Sequence, residues 1–348
     1  MGGSGSLDAK VAFLGRPESY PGRPDRVEAV ETHMSWVFLA GGGAYKLKKP
    51  VRHDFLDFST VELRRADCEA EVRLNRRLAP DVYLGVIALT VAEDGGYALG
   101  GTGPAVDWLV KMRRLPRGRM LDRALADGTA TGDDLARIGE RLGRFYRSLP
   151  PAPLPGGLRG RLERDIGGCA AEIECAEYAL DGHRAHGLAE RMLALVEREA
   201  ALIALREQSG KVVEGHGDLR PEHVCLLDEP AIIDCVEFNR DFRVVDAAED
   251  LAFLALECER LGHPGAGGAI LAAYSHSAAD AIPARLLDFY FAVRAFIRAK
   301  IAAWRTHEAS GAERNLWLKR AEEYLALAER HLGRAGSPGT PPAALIAD

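Results

Sequence analysis

The sequence predicts an α+β protein in two parts: a small β-rich N-terminal part carrying one helix, and a larger helical part after it. Three observations predict this. Short apolar runs separated by glycine turns fill residues 26–115. From about Met120 onward, apolar residues recur at three-and-four spacing instead. A single strand–turn–strand island, from Val212 to Asp234, then interrupts the helical pattern.

The elements follow in order. Val27 to Val30 is a short β-like run. Trp36 to Ala40 and Ala44 to Lys48 flank Gly41-Gly42-Gly43, which reads as a hairpin. Phe55 to Leu78 changes period, with Ser59 as a candidate N-cap and Val61, Val72, Leu74 and Leu78 interleaved with charges. Strand signals return at Tyr83 to Val91 and Val106 to Met112. Helical periodicity then covers 135–149, 188–205, 247–261, 285–304 and 315–332, while Pro150 to Gly157 reads as a loop. In the island, Val212-Val213 leads into His216. Val224 to Leu227 and Ala231 to Ile233 form two short strands about Asp228-Glu229-Pro230. No internal repeat is present.

Composition narrows the function classes. The chain has 348 residues, 47% of them hydrophobic, enough for a sizeable core. Lys plus Arg is 45 against 51 Asp plus Glu, a formal charge of −6. That balance excludes a dominant nucleic-acid partner, which needs a basic footprint. Six cysteines lie far apart without a CxxC pair and read as reduced, mostly buried thiols. Met1 to Ser6 lacks a basic segment followed by an apolar run and reads as a flexible leader. The weakly charged stretch from Leu261 to Ala279 is broken by Gly, Pro, His and Ser, so no membrane span is expected. The expected location is the cytoplasm.

The chemistry concentrates in and just after the island, which holds His216, Asp218, His223 and Asp234 and is followed by Glu237. Phosphoryl transfer needs such a set: one carboxylate to orient the attacking hydroxyl and take its proton, others to hold a cation that offsets the triphosphate. A single loop Asp is usually a cap or a solvated turn residue. A whole set on one hairpin among helices is not.

The octapeptide His216-Gly217-Asp218-Leu219-Arg220-Pro221-Glu222-His223 resembles the protein-kinase catalytic loop pattern H-R-D-L-K-P-E-N. Its H-G-D form is similar to that of aminoglycoside phosphotransferases, choline kinases and related sugar kinases. Ile233-Asp234 resembles that family's second metal-binding motif, and Asp246 with Asp250-Leu251-Ala252 resembles the structural aspartate and helix after it. Ala44-Tyr45-Lys46 resembles the third strand with its phosphate-binding lysine, and Glu71 the helix glutamate that pairs with it. Glu31 to Leu39 and Phe238-Asn239 are similar to a bacterial aminoglycoside phosphotransferase-like branch, sometimes fused to a P-loop kinase. The resemblance runs from Val27 to Leu332.

The resemblance implies a bilobal, protein-kinase-like fold: a leader over 1–25, a nucleotide-binding N-lobe over 26–115, a helical C-lobe over 116–335 with catalytic loop and acceptor site, and a disordered tail over 336–348. It implies ATP with Mg²⁺ (Mn²⁺ as an alternative) and a small hydroxylated acceptor: an aminoglycoside, amino sugar, sugar or amino alcohol. Asp218 would be the base and Arg220 would offset charge on the moving phosphoryl group. Asp234 would be the principal metal ligand. Lys46 would contact the α- and β-phosphates and pair with Glu71. The Thr32 to Ser35 turn would cover phosphates in place of a G-x-G-x-x-G loop, and adenine would meet the backbone near Met112 to Leu115. His216 and Asp250 would brace the loop.

Several points stay open in the sequence. Lys46 and Lys48 are two apart on a strand and so share a face. The A-x-K spacing favours Lys46. His223 stands where the family has a metal-binding Asn, and imidazole suits Zn²⁺ or Mn²⁺ better than Mg²⁺. It either binds metal or hydrogen-bonds within the loop. Arg294 and Arg298, at i,i+4 spacing, either form ion pairs or contact an anionic substrate group. Glu237 and Asp241 either line the acceptor site or sit in solvent. Arg113, Arg114, Arg117 and Arg119 read as a solvated linker. Rival functions are a nucleotide-holding pseudokinase-like regulator and a metal-dependent hydrolase built on His216, Asp218 and His223. With eleven residues between Asp234 and Asp246, no peptide-docking segment is expected. The sequence carries no signal of oligomeric state.

Overall fold

The computed structural model describes residues 5–53, 55–93, 95–175 and 180–336. The chain divides into two compact units, Met1–Ala124 with Glu222–Arg240, and Leu125–Pro221 with Asp241–Asp348. The expected boundary at 115/116 treats each part as one continuous stretch. Instead the segment after Pro221 returns to the first unit, carrying Asp234 with it.

The first unit is built on a six-stranded antiparallel sheet. Its strands are β1 (Val27–Glu31), β2 (Ser35–Ala40), β3 (Gly43–Lys48), β6 (Tyr83–Val91), β7 (Tyr97–Leu99) and β8 (Ala105–Arg113), in the order β1-β2-β3-β8-β6-β7. Two small pairs flank it, β4 (Arg52–His53) with β5 (Leu56–Asp57), and β10 (Val224–Cys225) with β11 (Ala231–Ile232). Alternation along β3 sorts its side chains between two cores. Ala44 packs with Cys68 and Val72 of α2 (Val61–Asn75), together with Val110 and Met112 of β8. Tyr45 and Leu47 pack on the opposite side with Phe38, Leu89, Leu109 and Leu14.

Leu14 belongs to α1 (Leu7–Leu14), which the sequence reading placed in a leader. Leu7, Val11 and Leu14 are spaced i, i+4, i+7 and pack on the sheet's second face, and the Ser6 hydroxyl caps the helix by accepting from the Ala9 N–H. Asp107 of β8 ties both helices to the sheet, taking the Lys10 ammonium at 2.8 Å and Nε and Nη2 of Arg64, each at 2.8 Å. The expectation of a flexible leader over 1–25 is corrected accordingly, while α2 is the one α-helix among the described residues of 26–115, as expected. The α2 N-cap is Thr60, whose hydroxyl accepts from the Leu63 N–H, rather than Ser59.

The second unit is helical: the end of α3 (Leu121–Ala126), then α4 (Gly132–Ser148), α5 (Gly157–Ile173), α6 (Gly182–Arg198), α7 (Ala200–Gln208), α8 (Ala247–Arg260), α9 (Pro264–Ala278), α10 (Ala284–Glu308) and α11 (Gly311–Gly336), with one strand pair, β9 (Val212–Glu214) and β12 (Val244–Asp246). A capping box of Thr131 and Asp134 starts α4. The predicted 188–205 helix is two helices, broken at Glu199. α8 is buried all round because α9 and α10 both pack on it, and Gly267 lets α9 approach Ala255, where a Cβ would meet backbone at 2.8 Å. No helix among the described residues is long and apolar enough to cross a membrane. All but the first residue of the expected tail lies outside the described residues, as do residues 1–4 of the leader.

Candidate active site

In the second unit the octapeptide begins where β9 ends. Its main chain is held by one carboxylate. Asp250, in the first turn of α8, accepts the His216 N–H at 2.7 Å, the Gly217 N–H at 3.1 and 3.2 Å and the Tyr146 hydroxyl at 2.8 Å. Asp250 is completely buried, and Arg294 lies 3.7 Å away to balance its charge. Gly217 has φ of +84°, and a Cβ there would meet the Phe242 carbonyl oxygen at 2.7 Å, so only glycine fits. The bend brings the Asp218 N–H within 3.3 Å of His216 Nδ1. Arg220 lies 3.0 Å from Asp218 Oδ2. The expected bracing pair, His216 and Asp250, is therefore arranged as a buried carboxylate cradling loop amides.

In the first unit, Lys46, Lys48, Glu71 and Asp234 come together. Glu71 is buried on α2 and divides its oxygens: Oε1 takes Lys46 at 2.9 Å and Oε2 takes Lys48 at 2.7 Å. The other partners separate the two lysines. Lys46 reaches Asp234 Oδ1 at 3.0 Å. Lys48, 1% exposed, is enclosed by Asp67 at 2.5 Å and by Glu237. Burial works against both ammonium charges, but the carboxylates outweigh it and hold both lysines well above the usual range. Asp234, Glu71 and Glu237 act on Lys46; Glu237, Glu71 and Asp67 act on Lys48. Asp67, Glu71 and Glu237 have cation-site spacing, and the Lys48 ammonium pairs with all three, hydrogen-bonding to Glu71 and Glu237. Glu237 is thus neither solvated nor free to line an acceptor site.

Asp234 has φ of +63°, a left-handed backbone that costs a non-glycine residue roughly 1–2 kcal/mol. Two side chains from the sheet and α2 hold it there. The Asp234 N–H donates to the Tyr83 hydroxyl at 3.1 Å and the Cys235 N–H to Asn75 Oδ1 at 2.9 Å. The Asp234 carboxylate is 43% exposed, and its Oδ2 lies 3.4 Å from His223 Nε2. An exposed carboxylate beside a cationic lysine suits a hard cation that keeps its waters and takes phosphate oxygens as further ligands. The imidazole is the softer donor of the pair.

Ser35 is buried, and its hydroxyl lies 2.8 Å from that of Thr32, whose Oγ1 accepts the Ser35 N–H at 3.0 Å. This closes the turn between β1 and β2. Met112 is buried against Ala44 and Val110. Of the backbone near it, the Arg113 N–H already donates to Val82 and the Arg114 N–H to Gly42. The arginine-rich linker is engaged as well as exposed: Arg117 pairs with Asp122 at 2.7 Å and Arg119 Nε donates to the Leu226 carbonyl at 2.7 Å. Sequence reasoning passed over Asp67, Asn75 and Tyr83. Their positions relative to Glu71 on α2, four before and four after for Asp67 and Asn75, were the available signal for the first two.

The fold is that of protein-kinase-like phosphotransferases. It resembles choline kinase from Cryptosporidium parvum (TM-score 0.55, 11% identity, 94% of this chain and 97% of that one). It also resembles LicA in complex with AMP (0.53, 16%, 95% and 100%) and a choline/ethanolamine kinase family protein from Mesorhizobium loti (0.51, 14%, 94% and 99%). Residues 57–289, more than half of the chain, match the phosphotransferase enzyme family, and the chain belongs to that family. It is 33% identical over 330 residues to the uncharacterized protein Rv2004c of Mycobacterium tuberculosis, and equally to Mb2027c of Mycobacterium bovis. The alignment covers 90% of this chain and 63% of each relative, so the chain spans less than two thirds of their length.

Proposed function

We propose that this chain moves the γ-phosphoryl group of ATP to a hydroxyl of a small molecule. The observation that carries the reading is the Glu71–Lys46–Asp234 chain of ion pairs, at 2.9 and 3.0 Å, beside a strained backbone that presents Asp234 to solvent. Family membership supports the class of reaction.

Lys46, oriented by Glu71, contacts the α- and β-phosphates. Lys48, shut in by carboxylates, fixes α2 and the Glu237 segment around it. Mg²⁺ or Mn²⁺, held at Asp234 with His223 beside it, would supply charge that offsets the triphosphate. Asp218 accepts the hydrogen bond of the acceptor hydroxyl and then its proton, on a loop whose amides Asp250 fixes. Arg220 balances charge near Asp218 and the transferring group. Ser35 shapes the turn that covers phosphate, and the Met112 to Leu115 backbone meets adenine. The acceptor is an aminoglycoside, amino sugar, sugar or amino alcohol, and the site of action is the cytoplasm.

The test is ATP consumption over a panel of these acceptors, with Asp218→Asn as control. Turnover should fall by about 10²–10⁴-fold in the variant, the usual contribution of a general base, with the melting temperature unchanged. Tight ATP–metal binding without turnover on any acceptor would sink the reading. His223 at 3.4 Å from Asp234 favours one second reading, a nucleotide-holding regulator with weak transfer. If His223→Asn converts a silent protein into a kinase, that second reading prevails.

A further inference from the structure

The second unit carries charges that the reading above leaves unused. Arg294, Arg298 and Arg305 of α10 are four and eleven residues apart, which at about 3.6 residues per turn places them on one face. At one end of that face Arg294 is matched in charge: Glu249 lies 2.9 Å and Asp250 3.7 Å away, and Nη1 donates to the Gly217 carbonyl at 3.4 Å, one residue before Asp218, although Nε and Nη2 make no hydrogen bond. Arg298 is less well matched. Its carboxylate, Glu257, is 3.9 Å away and is already taken by Arg260 at 2.7 Å and by the Tyr324 hydroxyl, while the buried Arg298 Nε makes no hydrogen bond. Arg305 is partly buried over the Trp317 ring, with Glu308 at 3.6 Å.

The surroundings of Arg305 disfavour its charge. Burial and then the positive charges of Arg298 and Arg220 push its pKa down, against the pull of Glu308 and Glu313. The more deeply buried Arg161 and Arg206 behave oppositely, because carboxylates more than offset their burial and hold them up. A guanidinium short of negative charge gains most from a carboxylate or phosphate, whose two oxygens match its fork. Arg220 links this patch to Asp218, which it contacts at 3.0 Å.

We propose that Arg298 and Arg305 form a subsite for an anionic group, a carboxylate or phosphate, carried by the hydroxylated acceptor that Asp218 receives. The assignment rests on the phosphotransfer reading and narrows its acceptor to a sugar that carries an acidic group.

The test separates binding from turnover. Without nucleotide, calorimetry compares galacturonate, galactose 6-phosphate and inorganic sulfate with neutral galactose and cationic galactosamine. The proteins are the native chain, Arg305→Gln and Arg305→Lys. The anions should bind at least ~10-fold more tightly than galactose. Arg305→Gln should lose ~10-fold of that, the size of one charge-assisted contact, and Arg305→Lys should retain most of it. Uronate and sugar phosphate distinguish the two sources of charge. The proposal is overturned if no anion binds, if galactose or galactosamine binds better, or if Arg305→Gln binds anions as the native chain does. An equal loss in both variants with a lowered melting temperature would make Arg305 merely structural and overturn it too. ATP consumption with the same compounds keeps the two ideas apart. Galactosamine turnover that Arg305→Gln leaves unchanged sinks the subsite and leaves phosphotransfer standing. Arg305-dependent anion binding without turnover of any acceptor sinks phosphotransfer and leaves the subsite standing.

Discussion

Two loops carry the acids of the proposed reaction, and they are held in opposite ways. The loop of Asp218 is fixed through its main chain: one buried carboxylate, Asp250, takes two successive amides, and Gly217 makes the bend. The loop of Asp234 is held in a disfavoured backbone by neutral side chains, Tyr83 and Asn75, while its carboxylate meets a lysine and a histidine at its exposed end. The first arrangement fixes the backbone that carries the proposed proton acceptor. The second leaves a carboxylate whose ionic partners a metal and phosphates can replace, without the backbone having to move.

Breaking the first loop should have the largest effect. Asp250→Ala leaves Arg294 with one partner fewer and two buried amides without an acceptor, and should lower stability by about 3–5 kcal/mol in denaturant titrations. A loss under 1 kcal/mol would mean the loop is held by something else. Breaking the second should cost less. Asn75→Ala removes the acceptor of the Cys235 amide and should lower stability by about 1–3 kcal/mol. Metal-dependent nucleotide binding should weaken with it, since the strain at Asp234 is then unsupported. Unchanged binding would separate the strain from the site.

The smallest effect sharpens the contrast, using a charge bridge between helices of the second unit. His331 of α11 bridges Asp288 at 2.8 Å and Glu259 at 2.9 Å, and stacks on Phe291. Burial opposes its charge, but the two carboxylates raise its pKa above the ordinary 6.5. A raised folded-state pKa means stabilisation fully present below pH 6.5 and lost as pH rises through the folded value. Glu259, held low first by its bond to His331, loses its share as pH falls below 4.5. Melting temperature should decline gently as pH rises above 6.5, and His331→Gln should flatten that decline. A decline of the same slope in the variant would rule out this bridge as its cause.

Much of this was legible in the sequence because it is local. The octapeptide, the two lysines of β3 and Glu71 are short patterns that fold with their neighbours. The lysines' division of labour was not legible, because Glu237 reaches Lys48 across 189 residues and Asp234 reaches Lys46 across 188. Nor was the return of residues 222–240 to the first unit, which long-range packing decides. α5 and α9 hid behind glycines, since Gly160, Gly167 and Gly168 in one and Gly265, Gly267 and Gly268 in the other lower helix propensity that packing restores. α1 was hidden because the Gly/Ser-rich start carries a flexible-leader signal and the Leu7, Val11, Leu14 spacing behind it spans only two turns.

That first helix has a practical consequence for handling the protein. A version begun at residue 26 would keep every proposed catalytic group yet leave Phe38, Leu47, Leu89 and Leu109 uncovered, and Asp107 without its lysine. A bare apolar sheet face of that kind drives self-association. Such a truncation should be lost to precipitation during purification rather than to any fault in its chemistry.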